Sequence, residues 1–190
     1  IRLLKRFAEV NSIIGVDGRL DRRKEASELY GCAVYESIDL AIAKHPNIEC
    51  CFVCTSPLSH NTLIKEALKR RLHVFTEINL VSDGYNENME LAKEKNQTLF
   101  LSSTFYYREE IKYIRHYLID CNKLNYVYHI GQYLPDWHPW ESFNDFFVGD
   151  KRTNGCREIM AIELPWLIGT FGDVLDVSVL SDNMTNLGLP

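Results

Sequence analysis

Leu72-His73-Val74-Phe75-Thr76-Glu77-Ile78-Asn79-Leu80 reads as a short apolar strand over 72–76 that runs directly into a polar turn. Helical patterning precedes it over 58–70 and follows it over 86–95. Strands and helices alternating at this spacing are the mark of parallel strands joined by helical crossovers.

The alternation extends in both directions. Upstream it predicts a strand over 12–17, a helix over 22–30 closed by Gly31, and a brief strand over 33–36. A helix over 38–44 then stops before Pro46, and a further strand covers 49–55. Downstream it predicts a strand over 98–102 and a helix over 109–119. The texture then changes. Residues 125–133 alternate as a half-buried strand, 137–147 are aromatic and irregular, 158–171 are helical despite Pro165, and 174–180 form a last strand. A boundary near Cys121-Asn122-Lys123 divides a doubly wound parallel sheet with helical crossovers (1–121) from the start of a second domain (122–190).

With 190 residues, 46% of them hydrophobic, the chain can bury a sizeable core. A net charge of −5 argues against nucleic acid as a partner, which needs a clustered basic surface. No apolar run approaches the ~20 residues that span a bilayer. Ile1 opens the sequence, and Arg2-Leu3-Leu4-Lys5-Arg6 looks like the middle of an amphipathic helix, so the expectation is a chain that starts inside a longer one. Cys51-Phe52-Val53-Cys54 has a redox or metal spacing, but strand alternation sends Cys51 and Cys54 to opposite faces. Scattered thiols of this kind fit a reducing cytoplasm.

Two loops carry candidate chemistry. The first strand ends at Asp17, where an acid accepts the adenosine ribose hydroxyls of a bound dinucleotide. Arg19 follows, and a guanidinium there holds the extra phosphate of NADP. Asp17 would repel that phosphate, so the residues lean to NAD while Arg19 keeps NADP open. The second loop, Thr55-Ser56-Pro57-Leu58-Ser59-His60, sits where a strand hands over to a helix and borders the ligand crevice of such a sheet. Ser56 or Ser59 is placed to cap the helix, Pro57 suits its first turn, and His60 is either a packing or capping residue or a cofactor contact.

Gly15-Val16-Asp17, Tyr35-Glu36-Ser37, Val53-Cys54-Thr55-Ser56-Pro57 with His60, Ala67-Leu68, His73 to Glu77, and Gly155 to Gly172, taken in order, resemble one family. It is the glucose–fructose oxidoreductase, inositol dehydrogenase and rhizopine-catabolism family (Gfo/Idh/MocA). The resemblance implies a Rossmann domain followed by an α/β domain that supports a sugar-like substrate and homo-oligomer contacts. It implies that Ile1 falls just after the family's glycine-rich phosphate loop and Pro190 midway through the second domain. By the same resemblance Asp17 meets the adenosine ribose, Thr55, Ser56, Pro57 and His60 line the nicotinamide half, and Glu77 and Asn79 lie near the nicotinamide ribose.

This sequence departs from the family at its chemistry. The family's Glu-Lys-Pro reads Glu77-Ile78-Asn79 here, so isoleucine stands where a lysine contacts the substrate hydroxyl. On the helix where the family carries a carboxylate and then a histidine, Glu158 matches the carboxylate and Ile162 the histidine. A slip of one residue would bring Glu163 to the histidine position. Alcohol oxidation needs a base of suitable pKa, and neither isoleucine is one; Glu158 and Glu163 are the candidates for catalysis. Three readings stay open: an NAD(P)-dependent oxidoreductase on a sugar or nucleotide-sugar derivative, a catalytically inactive sugar- or dinucleotide-binding or regulatory relative, and a redox reaction on a substrate that supplies its own acid and needs no lysine base. The Trp137-His138-Pro139-Trp140 stretch suits sugar stacking or a packed aromatic cluster.

Overall fold

A computed structural model describes residues 1–118 and 124–180. The chain divides into two compact units, Ile1–Cys51 and Phe52–Pro190. The boundary expected near Cys121 lies outside the described residues.

The first unit opens on a single 3-10 turn, Leu4–Arg6, where an amphipathic helix was expected. The exposed Leu3 and Phe7 have no apolar surface to bury there, and a helix this short has little to hold it. Strand β1 (Ile14–Val16) pairs in parallel with β2 (Ala33–Tyr35), Ile14 opposite Ala33 and Val16 opposite Tyr35. Between them runs α1 (Leu20–Tyr30), which stops at Gly31 with φ 59°, a left-handed C-cap that glycine adopts without cost. Helix α2 (Ile38–Lys44) starts at Ser37, whose Oγ accepts from the Leu40 N–H, and ends before Pro46.

Strand β3 (Cys50–Val53) begins a second parallel sheet, completed by β4 (His73–Thr76) and β5 (Leu99–Leu101) in the order β3-β4-β5. Val74 faces Leu99 and Thr76 faces Leu101 across the β4–β5 pair. Helices α3 (Pro57–Lys69) and α4 (Tyr85–Lys95) supply the crossovers. On α3, His60, Ile64 and Leu68 fall at i, i+4 and i+8, one stripe, and all three are buried, as are Val74 on β4 and Ala92 on α4, the elements against which α3 packs. The boundaries expected for these elements hold to within two residues.

Helix α5 (Glu109–Tyr117) and a four-residue α6 (Leu134–Trp137) lead to α7 (Gly155–Phe171). Helix α7 starts three residues before the expected place because Asn154 caps it, Oδ1 accepting from the Arg157 N–H at 3.0 Å. Pro165 sits inside α7 and removes one N–H from its ladder.

Neither 125–133 nor 174–180 forms a strand, contrary to expectation. The alternation of 125–133 is real but is satisfied by a helix. Tyr126 stacks on Phe171 at 4.0 Å, Tyr128 meets Trp166 edge-on at 5.3 Å, and Val127 between them is 97% exposed. Among the described residues after 118, no backbone pairs as a sheet. Also among the described residues, no helix is long and apolar enough to cross a membrane.

Candidate functional site

In the first unit the site is the turn after β1. The Asp17 N–H continues the ladder onto the Tyr35 carbonyl at 3.1 Å. Its Oδ1 accepts from the Arg19 N–H at 2.8 Å, so the side chain closes the turn into α1. Arg23 Nη1 donates to the Asp17 and Gly18 carbonyls at 2.6 and 2.9 Å. Arg19 turns away from Asp17 and forks onto Asp21, with Nε 3.1 Å from Oδ1 and Nη2 on Oδ2. The Arg19 hydrogen bond draws the Asp21 carboxyl down to about 2.

In the second unit the site is built where β3 and β4 end. The Glu77 N–H donates to the Val53 carbonyl at 2.9 Å, carrying the pairing past β4 and leaving the Glu77 side chain exposed. Thr55 Oγ1 and Ser59 Oγ lie 2.7 Å apart, and Ser59 Oγ donates to the Ser56 carbonyl at 2.7 Å. Ser56 is the N-cap residue of α3 by position, yet its side chain makes no capping bond. Pro57 occupies the first turn as expected.

His60 is 1% exposed, and both ring nitrogens are engaged. Nε2 lies 2.7 Å from the Thr55 carbonyl and Nδ1 lies 3.0 Å from the Asn79 side-chain oxygen. A carbonyl only accepts, so Nε2 carries a hydrogen toward Thr55. His60 thus ties the Thr55 loop to the turn that holds Asn79. Nothing in the local pattern around His60 announces this partner nineteen residues away.

Glu158 stands in the first turn of α7, half-buried, with Oε2 enclosed and without a hydrogen-bond partner. Burial pushes its carboxyl up to about 7; His138 opposes the shift and Glu77 adds to it. Glu77 reaches a second neighbour too, since burial and then Glu77 raise the Cys54 thiol. His138 and Glu77 thus act on Glu158 through their charge alone. His138 is itself sandwiched between Trp140 at 4.8 Å and Phe146 at 4.2 Å, and pairs with Glu141 at 2.8 Å. Arg157 does not pair with Glu158; its Nη1 donates to the Leu80 carbonyl at 3.4 Å.

Glu163 is placed apart from Glu158. Five residues along a helix turn the side chain by about 140°, and Glu163 Oε2 accepts from the Tyr128 hydroxyl at 2.7 Å and from Trp166 Nε1. At 3% exposure it anchors the 125–133 segment to α7. Ile78 and Ile162 are both half-buried. Among the described residues, no set of three His, Cys, Asp or Glu side chains is grouped to hold a metal ion, and the described cysteines carry no disulfide.

The model of an oxidoreductase family with an NAD-binding Rossmann fold, Gfo/Idh/MocA, matches residues 2–103. Among solved structures, the chain is similar to a probable dehydrogenase from Thermotoga maritima, 25% identical with a TM-score of 0.55, over 62% of this chain and 36% of that one. It is similar to GenD2 from gentamicin A biosynthesis in complex with NAD, 17% identical with a TM-score of 0.58, over 63% and 34%. KijD10, a 3-ketoreductase from Actinomadura kijaniata in complex with NADP and TDP-benzene, matches at 19% identity and a TM-score of 0.50, over 56% and 34%. The last two likenesses concern the fold alone. The matched region spans about a third of each of these solved chains. Among curated proteins none matches the sequence.

Proposed function

This chain belongs to the Gfo/Idh/MocA oxidoreductase family, with its NAD-binding Rossmann fold, and on that premise we propose that it oxidises or reduces a sugar or nucleotide-sugar derivative with NAD(P). Glu158 carries the reading. A half-buried carboxyl poised at about 7, with one enclosed oxygen unpartnered, is what acid–base work near neutral pH requires.

The residues fit a dinucleotide. Asp17 ends a parallel strand and, among the described residues, uses only Oδ1, on the Arg19 N–H. Its carboxylate accepts the ribose hydroxyls. Arg19 is committed to Asp21, so a 2′-phosphate would compete for it, which favours NAD over NADP. Thr55, Ser56, Pro57 and Glu77 line the nicotinamide half, with His60 and Asn79 holding the loops behind them.

A bound nicotinamide would supply the hydride acceptor, and Glu158 would take the substrate hydroxyl proton in oxidation and return it in reduction. Trp140 is 75% exposed, and its indole suits stacking against an apolar sugar face. Glu163, engaged by Tyr128 and Trp166, supports the helix that presents Glu158. A second reading, binding without turnover, is favoured by Ile78 and Ile162, neither of which accepts a proton. A cytoplasmic homo-oligomer belongs to the proposal as well.

Titration of the full-length protein with NADH and NADPH, followed by energy transfer from its tryptophans, tests this. Micromolar binding with turnover of a sugar alcohol is the expected result. Binding with no turnover across a sugar panel selects the second reading, and no binding at millimolar cofactor overturns both.

A further inference from the structure

The turn after β1 is held by hydrogen bonds and not by packing, since a Cβ at Gly18 would meet nothing within 4 Å. Arg23 lies near the start of α1, half-buried, and its side chain runs back over the helix N-terminus, the direction in which helical side chains lean. There Nη1 donates to the Asp17 carbonyl at 2.6 Å and to the Gly18 carbonyl at 2.9 Å. One nitrogen thus fixes two successive peptide planes relative to each other. The Asp17 N–H is on the Tyr35 carbonyl at 3.1 Å, and Oδ1 takes the Arg19 N–H at 2.8 Å. Among the described residues, Oδ2 is left as the only polar atom of Asp17 without a hydrogen bond. The neighbouring Arg22 and Lys24 are exposed, and among the described residues their side chains make no hydrogen bond. A cation this close to a helix N-terminus opposes the helix dipole, so α1 gains little from the charge of Arg23. The guanidinium instead makes two charge-assisted bonds to the turn.

We propose that Arg23 is a positioning residue for the dinucleotide site: by gripping the Asp17 and Gly18 carbonyls it sets the turn so that Asp17 offers Oδ2 to the adenosine ribose. Arg23 does this without touching the nucleotide. It acts through the backbone of Asp17, whereas Arg19, its guanidinium committed to Asp21, holds the carboxylate by its N–H. Without Arg23 the peptides of the turn are free to rotate and the carboxylate turns with them, so the acceptor has to be ordered again at each binding event. The inference rests on the reading of Asp17 as the ribose acceptor.

The experiment compares full-length wild type, Arg23→Met, Asp17→Ala and the double variant, with Arg23→Ala in reserve should the methionine variant not fold. The first readout needs no nucleotide: amide hydrogen exchange by NMR. In Arg23→Met, which keeps the length and removes the donors, the Arg19 amide should exchange about fivefold faster as its bond to Oδ1 loosens, while the amides of β1 and β2 keep their rates. The second readout is NADH affinity, followed by energy transfer from the tryptophans. Arg23→Met should weaken it about tenfold, yet by less than about twofold when added to Asp17→Ala, because Arg23 acts through Asp17. Arg23→Lys, which restores a donor nitrogen, should regain most of the loss. An Arg19 amide exchanging at the wild-type rate, exchange raised equally across β1 and β2, unchanged NADH affinity in Arg23→Met, or a full further loss in the double variant would each overturn the proposal. The second of these, with a lowered melting temperature, is the signature of a merely structural role. A wild type that binds no NADH overturns the dinucleotide reading instead, and the exchange readout stands apart from that result.

Discussion

His60 and Asn79 face each other across 3.0 Å inside the second unit, and the far side of the imidazole sits 2.7 Å from the Thr55 carbonyl. One buried ring thereby fastens the loop after β3 to the turn after β4. Replacing His60 by alanine removes both bonds and leaves a cavity, with an expected loss of about 2–4 kcal/mol. Urea unfolding followed by circular dichroism measures it. Nitrogen-15 NMR of the ring is expected to show the Nε2–H form.

Glu158 links pH to stability with a definite sign. Its folded carboxyl, at about 7, lies above the ordinary 4.5, so the folded state holds a proton that the unfolded chain has released. The contribution is complete below about 4.5 and is lost as pH rises toward and through 7. The wild type should therefore lose stability relative to Glu158→Gln between those values and run parallel to it above pH 8. Melting temperatures of the two proteins across this range check the prediction.

On the proposed function, alcohol oxidation needs ionised Glu158, so kcat/KM should rise through about pH 7 and level off above it. Glu158→Gln should lower kcat by about 10²–10⁴-fold with a much smaller effect on NADH binding. Steady-state kinetics against pH with the best substrate of a sugar panel is the measurement. An equal loss of cofactor affinity would count against the assignment.

Arg19 is tied to Asp21, both side chains being about two-thirds exposed. Asp21→Ala frees the guanidinium and should strengthen NADPH binding about tenfold relative to NADH, a phosphate contact of ordinary size. Asp17→Ala should weaken NADH instead. Fluorescence titrations of both variants with both nucleotides separate the two effects.

Gly149 packs with no room for a side chain. A Cβ there would lie 2.5 Å from the Phe143 carbonyl oxygen and 2.9 Å from Asn144 Cα, both backbone atoms. Gly149→Ala should cost about 1–3 kcal/mol, as overpacking does. Gly18→Ala, where a Cβ meets nothing within 4 Å, should change stability far less. Chemical denaturation of the pair gives the comparison.

The first half of the fold could be read from the sequence because its signals are local. Gly31, Pro46 and Pro57 each mark a helix end by a backbone property of one residue, and a helix stops or starts at each. The segment 125–133 misled because alternation tells which side chains share a face and not what lies opposite. Tyr126 and Tyr128 meet a helix rather than a strand. The start of α7 was missed since a capping asparagine is recognised only when the amide it accepts is in view. At the candidate site, Glu158 was visible by resemblance, whereas the charges of Glu77 and His138 acting on it, and the His60–Asn79 bond, join residues far apart in the chain. Both carboxylates on α7 are candidates in sequence, Glu158 by its direct match and Glu163 by a slip of one residue, and the packing of Tyr128 and Trp166 on Glu163 separates them.

His60, Arg157 and Asn61 each hold one of the three residues after Ile78, at the Asn79 side chain, the Leu80 carbonyl and the Val81 carbonyl. The main chain that follows Ile78 is fastened by side chains of α3 and α7, so its path does not depend on what residue 78 itself contacts. Position 78 is thus a short span of chain moored on its far side by two helices.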